Sequence, residues 1–230
     1  MMKTHEVPEA TLKDRLHTLA KAGIASIPVA GAAASELFTV ILAPPLEKRR
    51  IEWMNDVAEH LKELEERGEL NLEDLQDNET FITTVMQASQ AAIRNHQSEK
   101  REALRNAVLN AALPHAPEES IQQLFINQVD TFTVWHMRIL DLFKEPPAWF
   151  ERNGITPPDF SFTSSLEELI TAAWPDLKDR YEFLNVIIQE LKTKGLYSGG
   201  ELGTTMSGGG AFQKRTTKMG NSFLKFTTAP

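Results

Sequence analysis

Residues 24–50, IASIPVAGAAASELFTVILAPPLEKRR, hold the longest weakly polar run of the chain and end in three basic residues. Two architectures compete for such a run: a bilayer span with a basic stop, or small-residue helices packed inside a helical core. A spanning helix needs about 20 predominantly apolar residues, whereas Pro28 and Gly31 divide this run and Glu36 interrupts it. An ionised carboxylate at the bilayer centre costs about 2.5–3.5 kcal/mol on insertion scales, and Ala, Gly and Ser offset little of that. Small side chains at Ala30, Gly31, Ala32, Ala33, Ala34 and Ser35 let helices approach closely, so the run predicts a buried Ala/Gly-rich hairpin. The alternative is conditional membrane contact, with Val40, Ile41 and Leu42 entering and Lys48, Arg49 and Arg50 meeting anionic headgroups.

Outward from this stretch the apolar spacing is helical. Leu12, Leu16, Leu19 and Ala20 precede it as a first amphipathic helix, and Pro44-Pro45 stops the small-residue helix that ends it. Trp53, Val57, Leu61 and Leu64 then recur four, four and three residues apart on a long charged helix that Gly68 closes. That face fits either the core or pairing with a second copy. Asn78-Glu79-Thr80 opens a further helix carrying Phe81, Val85, Ala88, Ala92 and Ile93 inward, with a bend near His96 before Ala103, Leu104, Ala107 and Val108. Another runs from Glu118-Glu119 through Phe125, Val129, Phe132 and Trp135 to Phe143, where Pro146-Pro147 stops it. Residues 1–148 therefore read as a helical bundle.

Residues 149–164, with Gly154, Pro157 and Pro158, read as a linker. Beyond it Ser165 and Glu168 match a capping box, residues 177–196 supply one or two helices ending at Gly195, and residues 204–226 offer a glycine-rich turn with β-prone flanks. Helices followed by a short hairpin over residues 165–230 predict a winged helix-turn-helix. The fold class is thus mainly α, an N-terminal helical bundle followed by a small C-terminal winged-helix-like α+β unit.

The net charge of −8 sits wholly in the middle of the chain, because residues 44–149 carry 19 acids against 11 bases while the flanks balance. An acidic middle argues against a general nucleic-acid binder, whose affinity comes from neutralising phosphates. Cysteine is absent, which excludes disulfides and thiolate chemistry and suits a reducing compartment. The mixed charges of the N-terminus are unlike a signal peptide, so the expectation is cytoplasmic, with peripheral contact at the inner membrane as the variant.

No phosphate-loop, nucleophile-elbow, HExxH or dinucleotide-binding motif is present. The expectation is a non-enzymatic protein with no catalytic residues, no metal and no cofactor. Of six scattered histidines, His96 marks a helix bend and His136 beside Trp135 reads as a half-buried, locally bonded imidazole. Lys100, Arg101 and Arg105 share one side of a helix, either paired with the glutamates of 59–66 or facing a partner or phosphate. Lys192 and Lys194, at the end of the recognition-type helix, and Lys214, Arg215 and Lys218 on the wing are the candidate nucleic-acid contacts. Glu182 and Glu190 on the same helix weaken that reading.

The order of elements resembles bacterial abortive-infection proteins of the Abi-alpha type and their relatives. The likeness rests on IPVAGAAASELF running into PPLEKRRIEW, on EKREALRNAVLNAAL, on VDTFTVWHMRILDLFKEPP, and on GLYSGG through KRTTKMGNSFLKF, the end of which is similar to the last strand and turn of winged-helix tails. The resemblance implies phage defence or stress response through a protein partner or a membrane, and it carries over no catalytic residue. A DNA-binding regulator is the alternative expectation.

Overall fold

The computed structural model describes residues 43–160 and 163–230. The first amphipathic helix, the Ala/Gly-rich hairpin and Val40, Ile41 and Leu42 lie outside the described residues. Among the described residues the protein is mainly helical, with ten α-helices and one two-stranded sheet. The chain forms two compact units that divide between Asp130 and Thr131, earlier than the 149–164 boundary expected from composition.

In the first unit, helix α1 (Ala43–Glu66) is the long charged helix expected from the spacing after Pro44-Pro45. Trp53, Val57, Leu61 and Leu64 are all buried within the chain, the first of the two expectations for that face. Gly68 closes the helix at φ 74°, with Glu69 N–H donating to the Leu64 carbonyl at 3.0 Å and Gly68 N–H to that of Glu65 at 2.9 Å. These bonds satisfy carbonyls that the helix end would otherwise orphan.

Helix α2 (Glu79–Arg94) is capped by Asn78, whose side chain accepts from Phe81 N–H at 3.0 Å. The chain leaves helical geometry at residues 95–97, the bend expected near His96, and resumes as α3 (Ser98–Ala112). Helix α4 (Glu119–Thr131) completes the unit.

The expected single helix from 118 to 143 is two. The second unit begins with α5 (Val134–Lys144), whose N-cap Thr133 is extended at φ −79°, ψ 163°. The local reason is side-chain chemistry: the His136 ring accepts from Thr133 N–H, offering the backbone an alternative to helical bonding. Pro146-Pro147 opens a helix, α6 (Pro146–Arg152), because proline suits the first turn. Trp149 and Phe150 are therefore core residues of this unit rather than part of a solvated linker.

A short strand, β1 (Thr163–Ser164), leads into α7 (Leu166–Ala173). The capping box forms as expected, Glu168 N–H donating to Ser165 Oγ at 3.2 Å and Ser165 N–H to Glu168 Oε2 at 2.8 Å. Helix α8 (Tyr181–Thr193) ends at Gly195, with φ 71° and the Leu196 N–H donating to the Leu191 carbonyl. Strand β2 (Met206–Ser207) pairs antiparallel with β1, not with a later strand, and runs into α9 (Gly208–Ala211).

The tail expected as a strand is helix α10 (Lys218–Thr227), capped by Thr217, which accepts from Gly220 N–H at 2.9 Å. Phe223, Leu224, Phe226 and Thr227 are buried together, a one-sided helical pattern that β-prone residue types disguise. An isolated antiparallel bridge joins Tyr197 to Thr216. A Cβ on Gly220 would collide with the Leu196 carbonyl oxygen, so this approach of α10 to the end of α8 requires glycine.

Candidate functional site

On the first unit, α1 and α3 place charged side chains of opposite sign around a pocket of about 330 Å³, lined by Glu52, Trp53, Asp56, Ser98, Arg101, Glu102 and Arg105. The α1 spacing that buries Trp53 sets Glu52 and Asp56, four residues apart, along the edge facing α3. Arg105 is held firmly: Nη1 lies 3.2 Å and 3.4 Å from the two Asp56 carboxylate oxygens, and Nη2 lies 3.3 Å from Asn106 Oδ1. Arg101 is held loosely, its Nη1 reaching Glu52 at 3.9 Å, and its buried Nε has no hydrogen-bond partner among the described residues.

Lys100 does not join them. Its amine donates to the Asp130 backbone carbonyl at 2.7 Å and is buried. Burial holds its pKa below the ordinary lysine value, and the Asp130 carboxylate opposes part of that shift. Asp130 also binds Arg94 at 2.7 Å and Asn95 at 3.2 Å. The expected basic patch is thus one buried structural lysine and two arginines at a pocket. Their acidic partners are Glu52, Asp56 and Glu102 rather than the glutamates of 59–66.

The basic end of the opening stretch is also divided. Arg50 is buried and paired with Glu47, Lys48 pairs with Glu52 at 3.7 Å, and Arg49 is half-buried. Among the described residues no helix is long and apolar enough to cross a membrane.

Trp53 belongs to two cavities. Its far side lines an apolar cavity of about 290 Å³ together with Val57, Leu61, Leu75, Phe81 and Val85, while its indole N–H donates to Ser89 Oγ at 2.9 Å.

Against protein-family models, curated proteins and solved structures, the chain finds no match.

In the second unit the five candidate basic residues part company. Lys192, Lys194, Lys214 and Lys218 are exposed, and no described ion pair holds them. Thr217 N–H donates to the Leu196 carbonyl at 3.0 Å and Ser198 N–H to that of Arg215 at 2.9 Å, so the end of α8 runs beside residues 215–217. Lys194 and Lys218 consequently flank one junction. Arg215 is buried instead: Nη1 donates to the carbonyls of Ala211 at 2.8 Å and Gln213 at 2.6 Å, and Nη2 to that of Gly210 and to Met206 Sδ at 3.1 Å. Burial lowers its pKa, whereas the neighbouring Tyr197 is pushed up to about 12, burial being the larger cause and the Arg215 charge opposing it.

His136 is fully inside, stacked on Phe132 with ring centroids 4.6 Å apart. Its Nδ1 accepts from Thr133 N–H at 3.1 Å, which leaves the proton on Nε2 to meet Glu190 Oε2 at 2.8 Å. Among the described residues no group of three or more His, Asp or Glu side chains is placed to hold a metal. The pairings with Asp56, Glu190 and Asp130 are not readable from the sequence, since each lies at least 30 residues from the group it meets.

Proposed function

We propose that the protein is a non-enzymatic component of a bacterial defence or stress response that works by binding a protein partner. The α1–α3 pocket takes an acidic side chain or phosphate of that partner on Arg101. The observation that carries this reading is the contrast between two neighbouring arginines: Arg105 is committed to Asp56 and Asn106, while Arg101 stands 3.9 Å from Glu52 with a buried, unpartnered Nε. A planar guanidinium in a partly dry pocket forms strong paired bonds with carboxylate or phosphate. The resemblance to abortive-infection proteins supplies the biological setting. In this reading any membrane role is peripheral.

The test compares proteins retained by the wild-type chain with those retained by Arg101→Glu and Arg101→Lys. Partners lost with Arg101→Glu and partly recovered with Arg101→Lys support the reading. An unchanged set removes it.

A second reading, a winged-helix regulator, has its own support. Helices α7 and α8 are followed by the antiparallel Tyr197–Thr216 bridge, an arrangement compatible with a wing, and four exposed lysines lie on α8, directly after it, on α10 and in the segment before α10. Duplex DNA affinity falling steeply with salt, and lost in Lys194→Glu with Lys218→Glu, would favour it. No affinity at low salt would exclude it.

A further inference from the structure

The apolar pocket behind Trp53 lies between α1, α2 and α3, ends at the single-turn 3-10 segment Leu72–Leu75, and opens to solvent beside the exposed Ala58 and Lys62. Its apolar walls come from Trp53, Val57, Leu61, Leu75, Phe81 and Val85. The Trp53 indole N–H is spent on Ser89, and Glu65 accepts from Leu72 N–H at 3.0 Å. The two ionic residues in its lining, Lys62 and Glu65, are of opposite sign and cancel.

Size narrows the occupant. An apolar cavity of about 150 Å³ stays dry and takes benzene, so a cavity of about 290 Å³ suits an occupant of roughly ten to twelve non-hydrogen atoms. A partly open pocket with apolar walls and few polar groups has the character of a small-molecule site.

We propose that this cavity binds an uncharged apolar small molecule of about ten to twelve non-hydrogen atoms, such as a medium-chain alcohol. The apolar walls make a charged headgroup costly to bury, and the oppositely charged Lys62 and Glu65 in the lining give no net attraction to an anion at the mouth, where an alcohol's hydroxyl can stay in water. Because Trp53 also lines the Arg101 pocket, an occupant presses on a shared wall. The binding claim stands without the partner reading above.

Trp53 supplies the readout, since the other three tryptophans, Trp135, Trp149 and Trp174, all lie in the second unit. The full-length protein carrying ¹⁵N-labelled indoles is titrated with 1-decanol and, separately, with sodium decanoate, the Trp53 signal being assigned through Trp53→Phe. The expected result is a saturable shift of the Trp53 signal alone with decanol, at least tenfold weaker binding of decanoate, and a rise in melting midpoint of about 3 °C at tenfold excess over Kd. Val85→Phe fills the cavity and should abolish the shift. If that variant does not fold, Ala58→Phe, at an exposed position in the lining, serves the same purpose. An unmoved Trp53 signal overturns the proposal, as does an equal response in the filled variant. Equal affinity for decanoate overturns its claim about charge.

Discussion

The imidazole of His136 and the carboxylate of Glu190 meet at 2.8 Å and tie α5 to α8 across 54 residues of chain. The bond is asymmetric in what it is worth. His136 is buried against Phe132, whereas the Glu190 side chain is 53% exposed. Removing the ring leaves a cavity and an unpaired Thr133 N–H, so His136→Ala should cost about 2–4 kcal/mol in urea unfolding. Glu190→Gln keeps an acceptor in water and should cost less than about 1 kcal/mol. Long-range ¹⁵N NMR should find the proton on Nε2.

Tyr197 makes the second unit sensitive to alkali. Its phenol is buried and donates to the Gly200 carbonyl at 2.7 Å, with a pKa pushed up to about 12 against an ordinary value of 10.0. A raised folded value means that the unfolded chain loses its proton first. The stability held below pH 10 is then lost as pH rises toward 12, by roughly 2–3 kcal/mol. Tyr197→Phe should flatten this part of the stability profile relative to wild type, measured by denaturant unfolding at pH 9, 10 and 11.

Arg215 should behave as a structural cation. Lysine cannot span the carbonyls of Ala211, Gln213 and Gly210 at once, so Arg215→Lys should destabilise almost as much as Arg215→Met, by about 2–4 kcal/mol. If DNA binding is found, Lys214→Gln should reduce affinity and its salt slope at unchanged stability. Arg215→Lys should lower the melting midpoint first.

Two glycines predict opposite signs. Gly220→Ala drives a methyl group into the Leu196 carbonyl and should cost about 2–3 kcal/mol. At Gly209, in α9, an added methyl meets nothing within 4 Å, so Gly209→Ala should stabilise by about 0.5–1 kcal/mol. Thermal unfolding of the two variants side by side checks the contrast.

Lys100→Met gives a control for the partner reading. The amine is already spent on the Asp130 carbonyl, so the variant should retain every protein that the wild type retains, while Arg101→Glu loses them. Loss in both would point to a general disturbance of α3.

The first unit was readable because burial there follows helical spacing. Trp53, Val57, Leu61 and Leu64 fall on one face, and Gly68 and Asn78 stand where caps are needed. Where the reading failed, a short-range interaction outweighed a broader pattern. The apolar run through Phe132 hides a break that Thr133 and His136 make with one hydrogen bond. Pro146 and Pro147, expected to stop a helix, begin α6, because the same residue is tolerated at a first turn and excluded from an interior. The tail from 218 was misread because Phe and Thr favour strands, yet its buried positions recur with helical period. At the candidate site the basic residues were visible in the sequence but their allegiances were not. Nothing local distinguishes Arg101 from Arg105, or Lys214 from Arg215, until distant segments arrive.

Strand β1 pairs with a partner 44 residues later in the chain, Thr163 with Ser207. During synthesis at about 5–20 residues per second, β1 therefore waits roughly 2–9 seconds before its partner has been made. Over that interval its backbone is open to pairing with any other chain nearby. Two features limit the hazard: the strand is only two residues long, and both residues carry hydroxyls, so a nascent neighbour gains little from adding to it. Closing the sheet is correspondingly a late event, and α5 to α8 have time to assemble on the ribosome before the chain fastens itself.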